Sequence, residues 1–124
     1  MKVIQTQKAP AAVGPYSQAI EVNGLIFTSG QLPIIPEIGE LINDDIKKAT
    51  ARSLENIKEI LQEAGSSLDK VVKVNIFLKD MNDFSSVNEV YSKYFTTNKP
   101  ARSCVEVSKL PKDGIIEIEA VAEK

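Results

Sequence analysis

The chain has 124 residues, 43% of them hydrophobic and 26% charged, with 15 Lys and Arg against 17 Asp and Glu for a net charge of −2 and a pI near 5.2. That composition suits one globular domain, residues 1–124, with a core of its own. It excludes a disordered chain and a broadly basic nucleic-acid binder. There is no histidine, so a Ser-His-Asp triad, a Cys-His dyad and a His-ligated metal site are excluded. The one cysteine, Cys104, has no partner for an intrachain disulfide, which fits a reducing, cytoplasmic setting. No apolar run exceeds three residues, so neither a membrane span nor a signal-peptide core is expected. No phosphate-binding glycine loop occurs.

In chain order, Lys2–Thr6 and Gln18–Val22 are short strand candidates, separated by the turn Gly14-Pro15-Tyr16-Ser17. Asn23-Gly24 is a two-residue hairpin signal, and Leu25–Ser29 follows as its partner strand. Pro33 and Pro36 punctuate a loop between Gln31 and Gly39. Apolar residues at three- and four-residue spacing from Ile46 to Ala64 predict a helix over Asp45–Ala64, capped by Asp44 or Asp45 and stopped by Gly65. Val71–Leu78 reads as the longest strand, with Val72, Val74, Ile76 and Leu78 on one face and Val71, Lys73, Asn75 and Phe77 on the other. A second helix is predicted from Phe84 to Phe95, its stripe of Phe84, Val87, Tyr91, Tyr94 and Phe95 read as core packing. Arg102–Val107 and Ile115–Ala122 complete the strands, joined by a turn at Leu110–Gly114.

The order βββαβαββ defines an α+β fold, a sheet of about six strands with two helices. Two helices cover one face of such a sheet. The last strand puts Ile115, Glu117, Glu119 and Val121 on one side and Ile116, Ile118, Ala120 and Ala122 on the other. The uncovered face therefore mixes apolar and charged residues, which points to a homo-oligomer with sites where subunits meet; a solvated sheet face is the plainer alternative.

Arg102 opens a strand just after Pro100 and shares a face with Cys104, about 6–7 Å further on. An arginine aimed from a strand can clamp a carboxylate or phosphate through two donors, although a surface ion pair is the commoner fate. Cys104 reads equally as a small buried hydrophobe. Glu117 and Glu119 share a face among apolar residues, where desolvation would raise a carboxyl pKa toward proton-transfer use; edge charges facing water are the alternative. Tyr16 follows a Gly-Pro turn, and Gly30, after Ser29, permits close backbone approach. Asn88 sits at the edge of the helical stripe, where a surface amide is also expected.

These segments form a pattern. Gly14-Pro15-Tyr16-Ser17-Gln18-Ala19, Ser29-Gly30-Gln31, Val87-Asn88-Glu89-Val90-Tyr91, the run Pro100-Ala101-Arg102-Ser103-Cys104-Val105-Glu106-Val107, Leu110-Pro111-Lys112-Asp113 and Ile116-Glu117-Ile118-Glu119-Ala120 occur in that order. Nearly end to end, the chain resembles the reactive intermediate/imine deaminase A (RidA) family. The resemblance implies a chorismate-mutase-like α+β fold, a homotrimer and active sites in clefts between neighbouring subunits. It implies hydrolysis of 2-imino acids or their enamine tautomers to 2-keto acids and ammonia, without a cofactor. Arg102 would bind the substrate carboxylate, and Tyr16, Ser29, Gly30, Asn88, Cys104 and Glu117 would line the pocket. Arg102, Glu117, Tyr16 and Ser29 are the expected catalytic set. Two rival readings are a small-molecule-binding regulatory module and an RNA-cleaving protein or translation inhibitor. The acidic pI, 6% aromatic content, and absence of Trp and His disfavour nucleic acid as a partner.

Overall fold

The computed structural model describes all 124 residues, Met1–Lys124. Six strands form one mixed sheet: β1 (Lys2–Ile4), β2 (Ala19–Val22), β3 (Leu25–Thr28), β6 (Val71–Leu78), β7 (Ala101–Glu106) and β8 (Ile116–Glu123). Their order across the sheet is β1-β2-β3-β8-β6-β7. All neighbours are antiparallel except β6 and β7, which run parallel and are joined by a crossover through α2 (Phe84–Tyr94). The longer helix α1 (Ile46–Glu63) packs against α2 and β8, so both helices cover the same face of the sheet. The α+β reading with two helices on one face therefore holds.

Local chemistry explains the boundaries. The Asp45 carboxylate accepts from the backbone N–H groups of Lys47 and Lys48, satisfying donors at the start of α1. Asn23 and Gly24 both take positive φ, 51° and 76°, as a tight primed hairpin turn requires. The core gathers Leu54, Ile57, Ile60 and Leu61 of α1, Val87 and Tyr91 of α2, and Ile116, Ile118, Ala120 and Ala122 of β8.

Two expectations need correction. A β-bulge between Val71 and Lys73 breaks the alternation of β6. Val71 is consequently buried in the core with Val74, Ile76 and Leu78, while Val72 is expelled to the surface. The stretch read as loop between Gln31 and Gly39 contains half of a small hairpin, β4 (Ile34–Ile35) paired with β5 (Glu40–Leu41). Its anchor is Asn56, a fully buried amide on α1 that donates to the carbonyls of Leu32 and Ile34. No helix is long and apolar enough to cross a membrane.

The uncovered face carries Phe27 on β3, Val121, Glu119 and Glu117 on β8, Asn75 and Phe77 on β6, and Val105 on β7. Cross-strand register places Phe27 opposite Val121, and both Glu117 and Val105 opposite Phe77. Phe27 and Val105 are 42% and 47% exposed, so apolar surface does lie open beside the carboxylates.

Candidate functional site

Strand register sorts the candidate residues into two groups. Cys104 lies opposite Ile76, and Ile76 lies opposite Ile118, a fully buried residue beneath the helices. Directly paired residues project to the same side, so Cys104 and Arg102, two residues apart, face the helix-covered side. Glu117 lies opposite Phe77 and projects to the uncovered side. Within one chain, Arg102 and Glu117 thus point away from each other across the sheet. A single protomer does not bring them together; the resemblance implies that they meet in a cleft between neighbouring subunits.

The first group is built on β7 and α2. The Arg102 guanidinium carbon lies 4.7 Å from the ring centroid of Tyr91 and 5.5 Å from that of Phe84. Its Nη1 donates to the Asn88 side-chain oxygen at 2.7 Å. Phe84, Asn88 and Tyr91 follow helical i, i+4, i+7 spacing, so one stripe of α2 holds the arginine. No carboxylate lies within ion-pair distance of it. Nη1 to Asn88 is its one hydrogen bond within the chain, so the Nε–Nη2 edge, the pair of donors that matches a carboxylate, is free. Arg102, Asn88 and Tyr91 line a cavity of about 480 Å³ with Ser92, Lys99 and Pro100. Asn88 is therefore no idle surface amide, and its oxygen is committed to Arg102. Burial pushes the Cys104 thiol pKa up, with Arg102 opposing the shift. A protonated thiol is a poor nucleophile.

The second group surrounds Glu117 in a larger cavity of about 660 Å³ that also contains Tyr16, Ser29, Gly30 and Glu119. Backbone bonds between Gln31 and Ile118 staple the segment after β3 to β8, which brings Gly30 over Glu117. The approach is so close that a Cβ on Gly30 would fall 2.7 Å from the Glu117 carboxyl carbon. Only glycine leaves that carboxyl in place. Burial raises the Glu117 pKa above the usual carboxylate value, and the neighbouring Glu119 charge adds to the rise. Glu119 itself accepts from Asn75 at 3.0 Å.

Ser29 donates its hydroxyl to the Ser17 carbonyl at 2.5 Å, which leaves it lone pairs to accept from a ligand. Tyr16 is 51% exposed at the rim of the cavity. Its loop is tied down by Gln18, a buried amide the sequence reading passed over. The Gln18 oxygen accepts from the Thr6 N–H, and its nitrogen donates to the carbonyls of Thr6, Ala9 and Pro10. Lys112, which lines the same cavity, sits in a turn where it and Asp113 take φ of 57° and 55°. The structure therefore groups Tyr16, Ser29, Gly30 and Glu117 in one cavity, and Arg102 and Asn88 in another. Cys104 stands on the Arg102 side, remote in direction from Gly30.

Two sets of groups emerge, one suited to an anion and one to proton transfer, on a two-helix, six-stranded α+β protomer. A family model described as Endoribonuclease L-PSP matches residues 6–124. The chain belongs to that family, the Rid proteins, as its sequence motifs imply. A RutC family protein of Pyrococcus abyssi is 61% identical over 99% of this chain and 97% of its own length. An Escherichia coli K12 protein provisionally named reactive intermediate deaminase TdcF is 46% identical over 98% of this chain and 95% of its own length. Among solved structures, E. coli TdcF with bound serine superposes with a TM-score of 0.96 at 44% identity, over 100% of this chain and 99% of that one. RidA from an Antarctic Psychrobacter species matches equally well, with a TM-score of 0.96 at 45% identity over the whole of both chains.

Proposed function

We propose that the protein hydrolyses reactive 2-imino acids, such as 2-iminobutanoate and 2-iminopropanoate, or their enamine tautomers, to 2-keto acids and ammonia. The observation that carries this reading is Arg102: a half-buried guanidinium, fixed by two rings and an amide, whose carboxylate-binding edge meets no group of its own chain. A charge held in that way is ready for an external anion. The deaminase name of the TdcF relative and the serine bound to TdcF in its crystal structure both support a small carboxylate-bearing ligand.

The chemistry needs an anchored carboxylate, a polarised C=N and an activated water. Arg102 holds the carboxylate and so fixes the imine carbon. Glu117, with its raised pKa, takes a proton from water as that water adds to the carbon. The same carboxyl returns that proton to the nitrogen of the carbinolamine; as the C–N bond breaks, the carboxylate takes the hydroxyl proton, the C=O bond forms, and keto acid and ammonia leave, the ammonia carrying the last proton away as ammonium. Ser29 accepts a hydrogen bond from water or from the nitrogen, and Tyr16 closes the rim. An iminium carbon is already electrophilic, so these groups suffice.

Because one protomer turns Arg102 and Glu117 to opposite faces, the complete site joins the Arg102 half of one protomer to the Glu117 half of another. The open apolar surface around Phe27, Phe77 and Val105 favours that assembly, which we take to be the homotrimer implied by the resemblance. The test couples the purified protein to an enzyme that generates 2-iminobutanoate and follows decay of the imine. Wild type accelerates decay, and Arg102→Ala abolishes the acceleration while the oligomer survives. Undiminished turnover in Arg102→Ala refutes the anchor role.

The family description also names an endoribonuclease. RNA cleavage by wild type and not by Arg102→Ala would favour that activity for this site.

A further inference from the structure

Tyr91 does more in this fold than its place in the core requires. Its ring packs on Phe95 on one side, with centroids 4.7 Å apart, and carries the Arg102 guanidinium on another at 4.7 Å. Tyr91 is nine-tenths buried, and its hydroxyl is enclosed without a hydrogen-bond partner. A buried hydroxyl with no partner weakens a fold, so the hydroxyl does not account for the residue; the ring does. Phe84, two turns earlier on the same stripe, adds a second ring at 5.5 Å, and Asn88 between them accepts a hydrogen bond from Nη1. These three contacts constrain the guanidinium along different directions: two aromatic surfaces limit where its plane lies, and the amide fixes its rotation within that plane.

We propose that Tyr91, assisted by Phe84, is a positioning residue for the carboxylate-binding arginine: its ring surface, and not its hydroxyl, holds the free edge of Arg102 in the orientation that receives substrate. The inference rests on the imine-hydrolase reading for its substrate, and on geometry alone for the mechanism. An arginine side chain free to rotate loses much of its two-donor match to a carboxylate. Aromatic faces retain the positive charge without neutralising it, whereas a carboxylate partner would compete with the substrate. This explains why α2 supplies rings and a neutral amide at the three positions that face Arg102, and no acid.

The test measures imine hydrolysis in Tyr91→Leu, Tyr91→Phe and Phe84→Leu, together with calorimetric binding of 2-oxobutanoate, a stable carboxylate probe. Tyr91→Leu should raise KM, and the Kd for 2-oxobutanoate, about tenfold, equivalent to about 1.4 kcal/mol, with kcat within about threefold of wild type. Tyr91→Phe should restore both constants to within about twofold, because the ring is retained. Phe84→Leu, at the more distant ring, should raise both about threefold. A loss in kcat instead of KM, or an equal loss in Tyr91→Phe, overturns the proposal. Should Tyr91→Leu fail to fold, unaltered binding in Phe84→Leu overturns it. If wild type binds 2-oxobutanoate but hydrolyses no imine, the catalytic reading fails while the binding constants still decide the positioning role.

Discussion

The two halves of the candidate site are made by different means. On the Arg102 side, the functional group is long and flexible, and side chains hold it: Phe84, Asn88 and Tyr91 reach out from α2 to restrain it. On the Glu117 side, the group is short, and backbone holds it. The Gln31–Ile118 bridge brings the segment after β3 over β8, until Gly30 lies against the carboxyl. The electrostatics differ in the same sense. The Arg102 guanidinium rests on rings and a neutral amide, with no carboxylate of its own chain paired to it, whereas Glu117 is pushed toward its neutral form by burial and by Glu119. A site that must grip an anion and pass a proton needs both a permanent charge and a group that titrates within reach of the working pH. Their placement on opposite faces of one sheet keeps the two from neutralising each other within a protomer, and in the proposed assembly a second protomer would bring them together.

The sharpest way to break this comparison is to remove the titrating group. Glu117→Gln should lower kcat for imine hydrolysis by about 10²–10⁴-fold, the usual range for a general acid–base, with KM changed little, because the Arg102 half still holds the carboxylate. A rise in KM with kcat preserved would mean that Glu117 binds instead of transferring protons. Steady-state kinetics of the purified variant distinguish the two. A smaller effect is expected from Gly30→Ala. Its methyl would crowd the Glu117 carboxyl from 2.7 Å, and kcat should fall about tenfold or more through misplacement. Calorimetric binding of 2-oxobutanoate should stay near wild type; lost binding would show that the halves are not separable.

The smallest effect concerns pH. The raised Glu117 pKa means that the base form becomes populated at higher pH than for an ordinary carboxyl, so kcat/KM should rise with pH through an acid limb displaced upward. Glu119→Gln removes the repelling charge, and the midpoint of that limb should move to lower pH, while burial keeps it above the unperturbed value. The same sign governs stability. A carboxyl whose pKa is raised on folding binds more protons in the folded state, so its contribution is full at low pH and is lost as pH rises from the unfolded value through the folded one. A pH–rate profile that is unchanged in Glu119→Gln would remove the neighbour's charge from the explanation.

Much of the scaffold can be read from the amino acids because single elements obey local rules. Asp45 caps α1 as expected, and the alternation of Ile116, Ile118, Ala120 and Ala122 into the core is an ordinary strand pattern. The reading failed at Val71 and Val72, where both residues are the same type and only tertiary pairing decides which one the bulge expels. It missed β4 and β5 because two-residue strands, the first squeezed between Pro33 and Pro36, carry no periodic signal; the anchor of β4, Asn56, looks like one more polar residue on a helix. The site shows the same limit. Spacing alone establishes that Arg102 pairs with Cys104 on one face and Glu117 with Glu119 on another. Which face β7 turns to the helices depends on its register against β6, which no residue of β7 announces. The aromatic stripe of α2 was legible as core, and Tyr91 is core. Its second contact follows from the parallel β6–β7 pairing that swings Arg102 beneath the helix.

The central claim is that each working site combines Arg102 of one protomer with Glu117 of another, and subunit mixing tests it directly. Arg102→Ala and Glu117→Gln proteins, each inactive alone, would be unfolded together, refolded and assayed with 2-iminobutanoate generated in the cuvette. If sites form between protomers, random assembly gives each site one intact Arg102 and one intact Glu117 about a quarter of the time, and the mixture should recover about a quarter of wild-type activity. If both residues act within one chain, no mixed assembly contains an intact site, and an inactive mixture of properly assembled oligomers would contradict the account.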